Sequence, residues 1–183
     1  LLEVTETMVS FVRRFPALSL FVLASALALL PISLVSLGVL PAWFSQLGAL
    51  SASAAAVILA AAESGKKGVR ELLARGLIWR AGPGLWIFAL AGTAAVSVIT
   101  LLLFNQLSDQ HVAVAGVVPW YEIFSMAIVL TLFAGLGEEF GWRGFLIPRL
   151  QIRHTALAAS LIIGAFHTLW HLPMFFMEGQ SQY

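Results

Sequence analysis

Two short stretches of this chain carry residue types that can do acid–base or metal chemistry. Glu138 and Glu139 stand side by side in Gly137-Glu138-Glu139-Phe140-Gly141-Trp142-Arg143-Gly144. On a helix of 3.6 residues per turn, adjacent side chains point about 100° apart, so the two carboxylates cannot share one role. Glu139 and Arg143 are spaced i, i+4 and can pair on one face, while Glu138 points towards the face of Trp142. A carboxylate partly withdrawn from water beside an aromatic, its neighbour held by a cation, suits a general base acting on water. The plainer reading is a solvated helix end with a simple ion pair, although the helix dipole disfavours carboxylates near a C-terminus. The second stretch is Phe166-His167-Thr168-Leu169-Trp170-His171-Leu172-Pro173. His167 and His171 fall on one helical face. Such spacing can bind a metal, but no Glu follows the first His, so this is not the His-Glu-x-x-His zincin motif. One buried His is more often a hydrogen-bonded structural residue; two on one face keep both readings open. Pro173 frees backbone groups one turn earlier, which favours a wet or protein-lined face there.

The elements that must position these residues are apolar. Of 183 residues, 60% are hydrophobic and 10% charged, against roughly 25% charged in a soluble domain. Five segments approach the roughly 20 apolar residues that cross a hydrocarbon core: 17–40, 41–62, 83–104, 117–137 and 155–177. The expected fold is therefore all-α, a polytopic transmembrane bundle forming a single domain over 1–183. Pro31 is expected to kink the first span, and the small residues from Ser51 to Ala56 suit close helix packing. All ten Lys and Arg fall in three places: Arg13 and Arg14; Lys66, Lys67, Arg70, Arg75 and Arg80; Arg143, Arg149 and Arg153. Five spans put those places on one side, and the positive-inside bias makes that side cytoplasmic, with the N-terminus inside. A multi-pass protein of a bacterial cytoplasmic membrane is the expectation. Within 65–80, Val69, Leu72, Leu73 and Leu77 form a stripe opposite Lys67, Arg70, Glu71 and Arg75. This reads as an amphipathic helix in the interface, serving as a tether between spans. A net charge of +1 without a basic tract gives no reason to expect nucleic acid. The absence of cysteine excludes disulfides, thiolate metal sites and a Cys nucleophile.

The order and combination of the two stretches are more specific than either alone. Gly137-Glu138-Glu139-Phe140-Gly141-Trp142-Arg143-Gly144-Phe145-Leu146-Ile147-Pro148-Arg149-Leu150-Gln151 resembles the first motif of the CAAX-prenyl-protease and bacteriocin-processing (CPBP, or Abi) family. That motif is Glu-Glu-x-x-x-Arg with a downstream Pro-Arg-Leu-Gln. Residues 160–173 resemble the second motif, aromatic-x-x-x-His followed by Leu-Pro, and the run 63–80 is similar to the segment before the third span in such proteins. One departure stands out. The family pattern has Phe or Trp four residues before the His, where this chain has His167, with Phe166 one step earlier. His171 thus takes the motif role and His167 is an additional polar group. A third family motif, a His with a nearby Asn on a later span, has no counterpart after His171. The chain is expected to be a fragment open at its C-terminal end, or, if whole, inactive as a protease.

The resemblance implies an intramembrane endopeptidase acting at the cytoplasmic side on a peptide or C-terminally prenylated Cys-a-a-X protein. In that arrangement Glu138 activates water and His171 orients the water or polarises the carbonyl. Glu139 and Arg143 hold the helix end. Zn²⁺ or another divalent ion would take Glu138 and His171 as ligands, with His167 a weaker candidate, and a metal-free glutamate mechanism serves equally. Two other classes compete: a non-catalytic immunity or scaffold protein of the same fold, and a small proton-coupled transporter. The transporter reading predicts inverted repeats, and the sequence shows none.

Overall fold

The structure is a computed structural model that describes residues 2–78, 80, 82–108 and 119–176. The start of the fourth expected span (117 and 118), the end of the fifth (177) and most of the two loops at 105–116 and 178–183 lie outside the described residues. Every regular element among the described residues is helical. Among the described residues, five helices are long and apolar enough to cross a membrane. The chain divides into two compact units, one formed by 1–77 with 126–183 and the other by 78–125.

In the smaller unit, α4 (Pro83–Leu107) begins with Gly82 extended and Pro83 in its first turn. Proline is suited to that place because a first-turn N–H has no intrahelical acceptor. The apolar side chains of α4, such as Phe88, Leu90 and Leu103, are exposed. Its length and apolar composition suit a membrane span.

The larger unit starts with α1 (Leu2–Arg14), a helix that the sequence reading did not include. It is followed at once by α2 (Pro16–Ser36). α2 ends earlier than the expected span because Gly38 adopts φ 70°. The Gly38 and Val39 N–H groups then bond the carbonyls of Val35 and Leu34, each at 2.9 Å. That is the Schellman closure, which places glycine at the left-handed position. After Pro41 the chain forms a 3-10 segment (Ala42–Leu50) and then α3 (Ser51–Arg75). α3 bends at Ser64 and Gly65, where Gly65 has φ 58° and ψ −146°. The amphipathic segment expected at 65–80 is thus the second limb of one bent helix, and it stops at Arg75. It also does more than tether: Leu72 is buried in the core, and the Arg75 guanidinium donates to the Gly144 carbonyl. Pro148 has no N–H to offer that carbonyl four residues back, so the arginine serves in its place.

The fourth span also runs further than expected. α5 continues from residue 120 to 150 as α-helix (Trp120–Leu130), π turns (Thr131–Leu136), an α turn (Gly137–Glu139), more π turns (Phe140–Leu146) and a last α turn (Ile147–Leu150). The Glu-Glu pair therefore lies inside a long rod and not at its end. Nothing between Leu136 and Leu146 breaks a helix strongly, and Trp142, Phe145 and Leu146 are wholly buried, so packing carries the helix past the carboxylates. Finally, α6 (Ala156–His171) is capped by the Thr155 hydroxyl, which accepts from the Ala158 N–H. It tightens into a 3-10 turn (Leu172–Phe176) at Pro173.

Small residues allow α5 to lie against the 3-10 segment and α3. A Cβ added at Gly137 would meet the Ala49 carbonyl oxygen at 2.7 Å, and one at Gly141 the Ala52 carbonyl oxygen at 2.5 Å. On the facing side Ala52, Ala55 and Ala56 are fully buried, and the Ser53 hydroxyl donates to the Leu136 carbonyl at 2.7 Å. Such close approach is how helices gain packing energy where lipid removes the hydrophobic drive between them. A second tie joins the far ends. Glu63, 8% exposed at its side chain, pairs with Arg149, 25% exposed, whose guanidinium also bonds the Phe145 carbonyl and stacks on the Phe145 ring.

Three substitutions test this packing. Gly141→Ala should lower stability by about 1–3 kcal/mol through overpacking, read as an earlier unfolding midpoint in a denaturing-detergent titration. Gly164→Ala on α6, whose added methyl meets nothing within 4 Å, should leave the midpoint unchanged or raise it. Glu63→Ala strands a partly buried guanidinium and should cost about 3 kcal/mol in the same titration; a midpoint equal to wild type would show that the pair does not hold the helix ends.

Candidate active site

With Gly137 and Gly141 pressed on α3 and the segment before it, the next face of α5 carries Glu138 and, one turn on, Trp142. α6 supplies the opposing side. The Glu138 carboxylate Oε2 lies 2.8 Å from His167 Nε2, with side-chain exposures of 13% and 29%. An ionised carboxylate only accepts, so Nε2 of a neutral or charged His167 ring donates to it. One turn along α6, His171 Nδ1 lies 3.1 Å from the His167 carbonyl oxygen. A carbonyl also only accepts, so this bond assigns the proton to Nδ1. In the neutral ring it leaves Nε2 of His171 with a free lone pair, the form that can bind a metal or take a proton. One ligand atom from each of Glu138, His167 and His171 fits in a cluster with all separations within 4.8 Å.

The cluster is walled by aromatic rings. Trp142 stacks on His167 with centroids 5.1 Å apart and planes inclined by 26°. Trp170 meets His171 edge-on at 4.7 Å and Trp142 at 6.0 Å. Both indoles are almost fully buried, and neither Nε1–H has an acceptor among the described residues. Buried donors of this kind ordinarily find a partner, so these two N–H groups stand out beside the cluster.

Glu139 and Arg143 pair with each other as their spacing predicts, and both side chains are about half exposed. They line a different cavity of about 460 Å³, together with Arg75, Thr131, Phe140 and Gly144. The structure thus brings Glu138 and His171 into one cluster and sets Glu139 and Arg143 outside it. The sequence reading gave His167 a lesser place, yet it is the residue in direct contact with Glu138. It also missed Trp170 as a wall of the site. The signal for both was present in the i, i+3 and i, i+4 spacing of His167, Trp170 and His171 on one helical stripe. An imidazole is flat and aromatic, so it can stack on Trp142 as a Phe or Trp would while adding a polar atom that reaches the carboxylate.

A carboxylate held against two imidazoles between two membrane-length helices defines a class of protein with a polar centre enclosed in an apolar bundle. Residues 119–181 match the family model described as type II CAAX prenyl endopeptidase Rce1-like. That segment contains both motifs, and over it the chain is similar to the Rce1-like CAAX-protease family. It is 40% identical over 60 residues to CAAX prenyl protease 2 of Methanococcus maripaludis, an alignment covering 33% of this chain and 22% of that protein. The match thus spans about a fifth of the curated relative. No solved structure matches the chain.

The exposed Glu139–Arg143 pair should contribute little by itself. Glu139→Gln is expected to change stability by no more than about 1 kcal/mol in the same detergent titration, whereas a larger loss would place that pair among the elements that hold α5 together.

Proposed function

We propose that this protein is an intramembrane endopeptidase in which Glu138 activates water for attack on a peptide carbonyl. The observation that carries this reading is the 2.8 Å contact of the Glu138 carboxylate with His167, with His171 in the same cluster. A charge at mid-helix in a bilayer costs about 2.5–3.5 kcal/mol on insertion scales. A carboxylate kept there against a proton-bearing imidazole is poised to accept a proton from water and return it to the leaving amine. His167 donates to Glu138 and fixes its orientation. His171 presents Nε2 to the water or, when protonated, donates to the developing oxyanion.

The three donors also suit a divalent metal: one carboxylate and two imidazoles are common zinc ligands, and they converge within 4.8 Å. Held by Glu138, His167 and His171, a Zn²⁺ ion would polarise the scissile carbonyl and acidify bound water. In the same reading Glu139 and Arg143 keep α5 in register and take no part in the chemistry.

The substrate class is a peptide that reaches the centre from the side of the membrane bearing the basic residues, taken as cytoplasmic under the positive-inside bias. The name of the relative favours a protein with a prenylated Cys-a-a-X terminus.

Cleavage of a quenched farnesylated Cys-a-a-X peptide in proteoliposomes tests the assignment. Glu138→Gln should lower kcat by about 10²–10⁴-fold, with His167→Ala and His171→Ala each strongly impaired and Glu139→Gln within about tenfold of wild type. Normal turnover by Glu138→Gln would sink the proposal. Metal content is read separately, by elemental analysis of the purified protein. A metal centre predicts about one zinc per chain, lost in both His167→Ala and His171→Ala. Metal-free protein with full turnover would leave the carboxylate and imidazoles as the whole apparatus.

A further inference from the structure

Away from the Glu138 cluster, the basic residues that flank two of the membrane-length helices converge on one groove. Arg13 and Arg14 precede α2, whose apolar span starts at Pro16. Arg153 lies in the short connection between the spans ending at Leu150 and beginning at Ala156. Arg153 is far in sequence from Arg13 and Arg14, yet the three line two adjoining cavities of about 650 and 250 Å³ and belong to both. Among the described residues, none of the three has a carboxylate oxygen within ion-pair distance. A fourth lining arginine, Arg149, is already neutralised by Glu63, and among the described residues Glu6 is the one acidic side chain on the walls. The smaller cavity runs from these cations onto an apolar floor of Phe15, Ala17, Leu18, Ile162 and Phe166. The floor is formed by the first turns of α2 and one face of α6.

A polar anion alone would use the arginines and leave the floor idle. An acyl chain alone would use the floor and leave three cations uncompensated. We propose that this groove is a binding site for an anionic glycerophospholipid, its phosphate between Arg13, Arg14 and Arg153 and one acyl chain along Leu18, Ile162 and Phe166. Basic pockets between helices at a membrane boundary hold anionic head groups in this way, and each cation near the surface contributes an affinity gain of severalfold. The site is separate from the catalytic reading above: it needs neither Glu138 nor either histidine of the cluster.

Native mass spectrometry of the detergent-purified protein, titrated with dioleoyl-phosphatidylglycerol, dioleoyl-phosphatidylcholine or inorganic phosphate, tests the site. The wild type should bind phosphatidylglycerol about tenfold or more tightly than phosphatidylcholine, with no comparable binding of phosphate. The double variant Arg14→Gln with Arg153→Gln should lose that preference by about tenfold. Lys66→Gln with Arg70→Gln removes two cations lining a different cavity and should keep it within about twofold. Equal binding of the two lipids by wild type would overturn the proposal without recourse to any variant. So would binding of inorganic phosphate as tight as that of phosphatidylglycerol, or an equal loss in the Lys66 and Arg70 variant, which would mark a diffuse surface charge and not a site.

Discussion

The approach of the α5 backbone to the backbone of α3 is the constraint from which the rest of the larger unit follows. At Gly137 and Gly141 there is no room for a methyl group against the Ala49 and Ala52 carbonyls. Once that face of α5 is fixed, the direction of every other side chain on the rod is fixed with it. Glu138 and Trp142 turn towards α6, and Glu139 and Arg143 turn away. Two adjacent carboxylates are thereby sent to different surroundings by a contact that involves neither of them. Because the energy of the contact comes from close backbone packing, it does not depend on excluding water and operates in lipid as well.

The π turns on either side of Gly137–Glu139 belong to the same geometry. A π turn takes in an extra residue and shifts the register of the face that follows. It also loosens the backbone ladder, leaving carbonyls for outside donors. Ser53 and Arg75 supply such donors from α3, to Leu136 and Gly144. In a bilayer an unpaired carbonyl costs several kcal/mol, so the widened stretches of α5 can exist only where α3 reaches them. The bend in α3 at Gly65 then has a purpose in the fold. It carries the second limb, with Leu72 and Arg75, back to the end of α5 that the first limb does not touch.

Much of this was legible in the residues. Long uncharged runs marked the helices, because lipid admits few alternatives to a helix. The small residues from Ser51 to Ala56 marked the packing face, and the 100° step between neighbours separated the roles of Glu138 and Glu139. Other features were not legible. The pairing of Glu63 with Arg149 spans 86 positions and follows no local period. The length of α5 was misjudged because charge was taken as a boundary, whereas the buried Trp142, Phe145 and Leu146 carry the helix through. The stop at Ser36 could have been read from Gly38 and Pro41, since glycine at the left-handed position followed shortly by proline is a helix terminator.

His167 shows how one position can answer two demands. The packing around Trp142 calls for a flat ring at that place, and an imidazole supplies one with a 26° tilt. The carboxylate of Glu138, 13% exposed inside a membrane-length helix, calls for a proton donor. A phenyl ring there would satisfy the packing and leave the carboxylate to find its partner elsewhere; a lysine would satisfy the charge and lose the stack. Histidine meets both, and its backbone carbonyl in turn holds the His171 ring by Nδ1. The order runs from the glycines that fix α5, to the carboxylate they aim, to the imidazole that stacks and donates, to the second imidazole left with a free nitrogen. Each step sets the protonation or orientation of the next, so the polar centre is organised from its apolar edge inward.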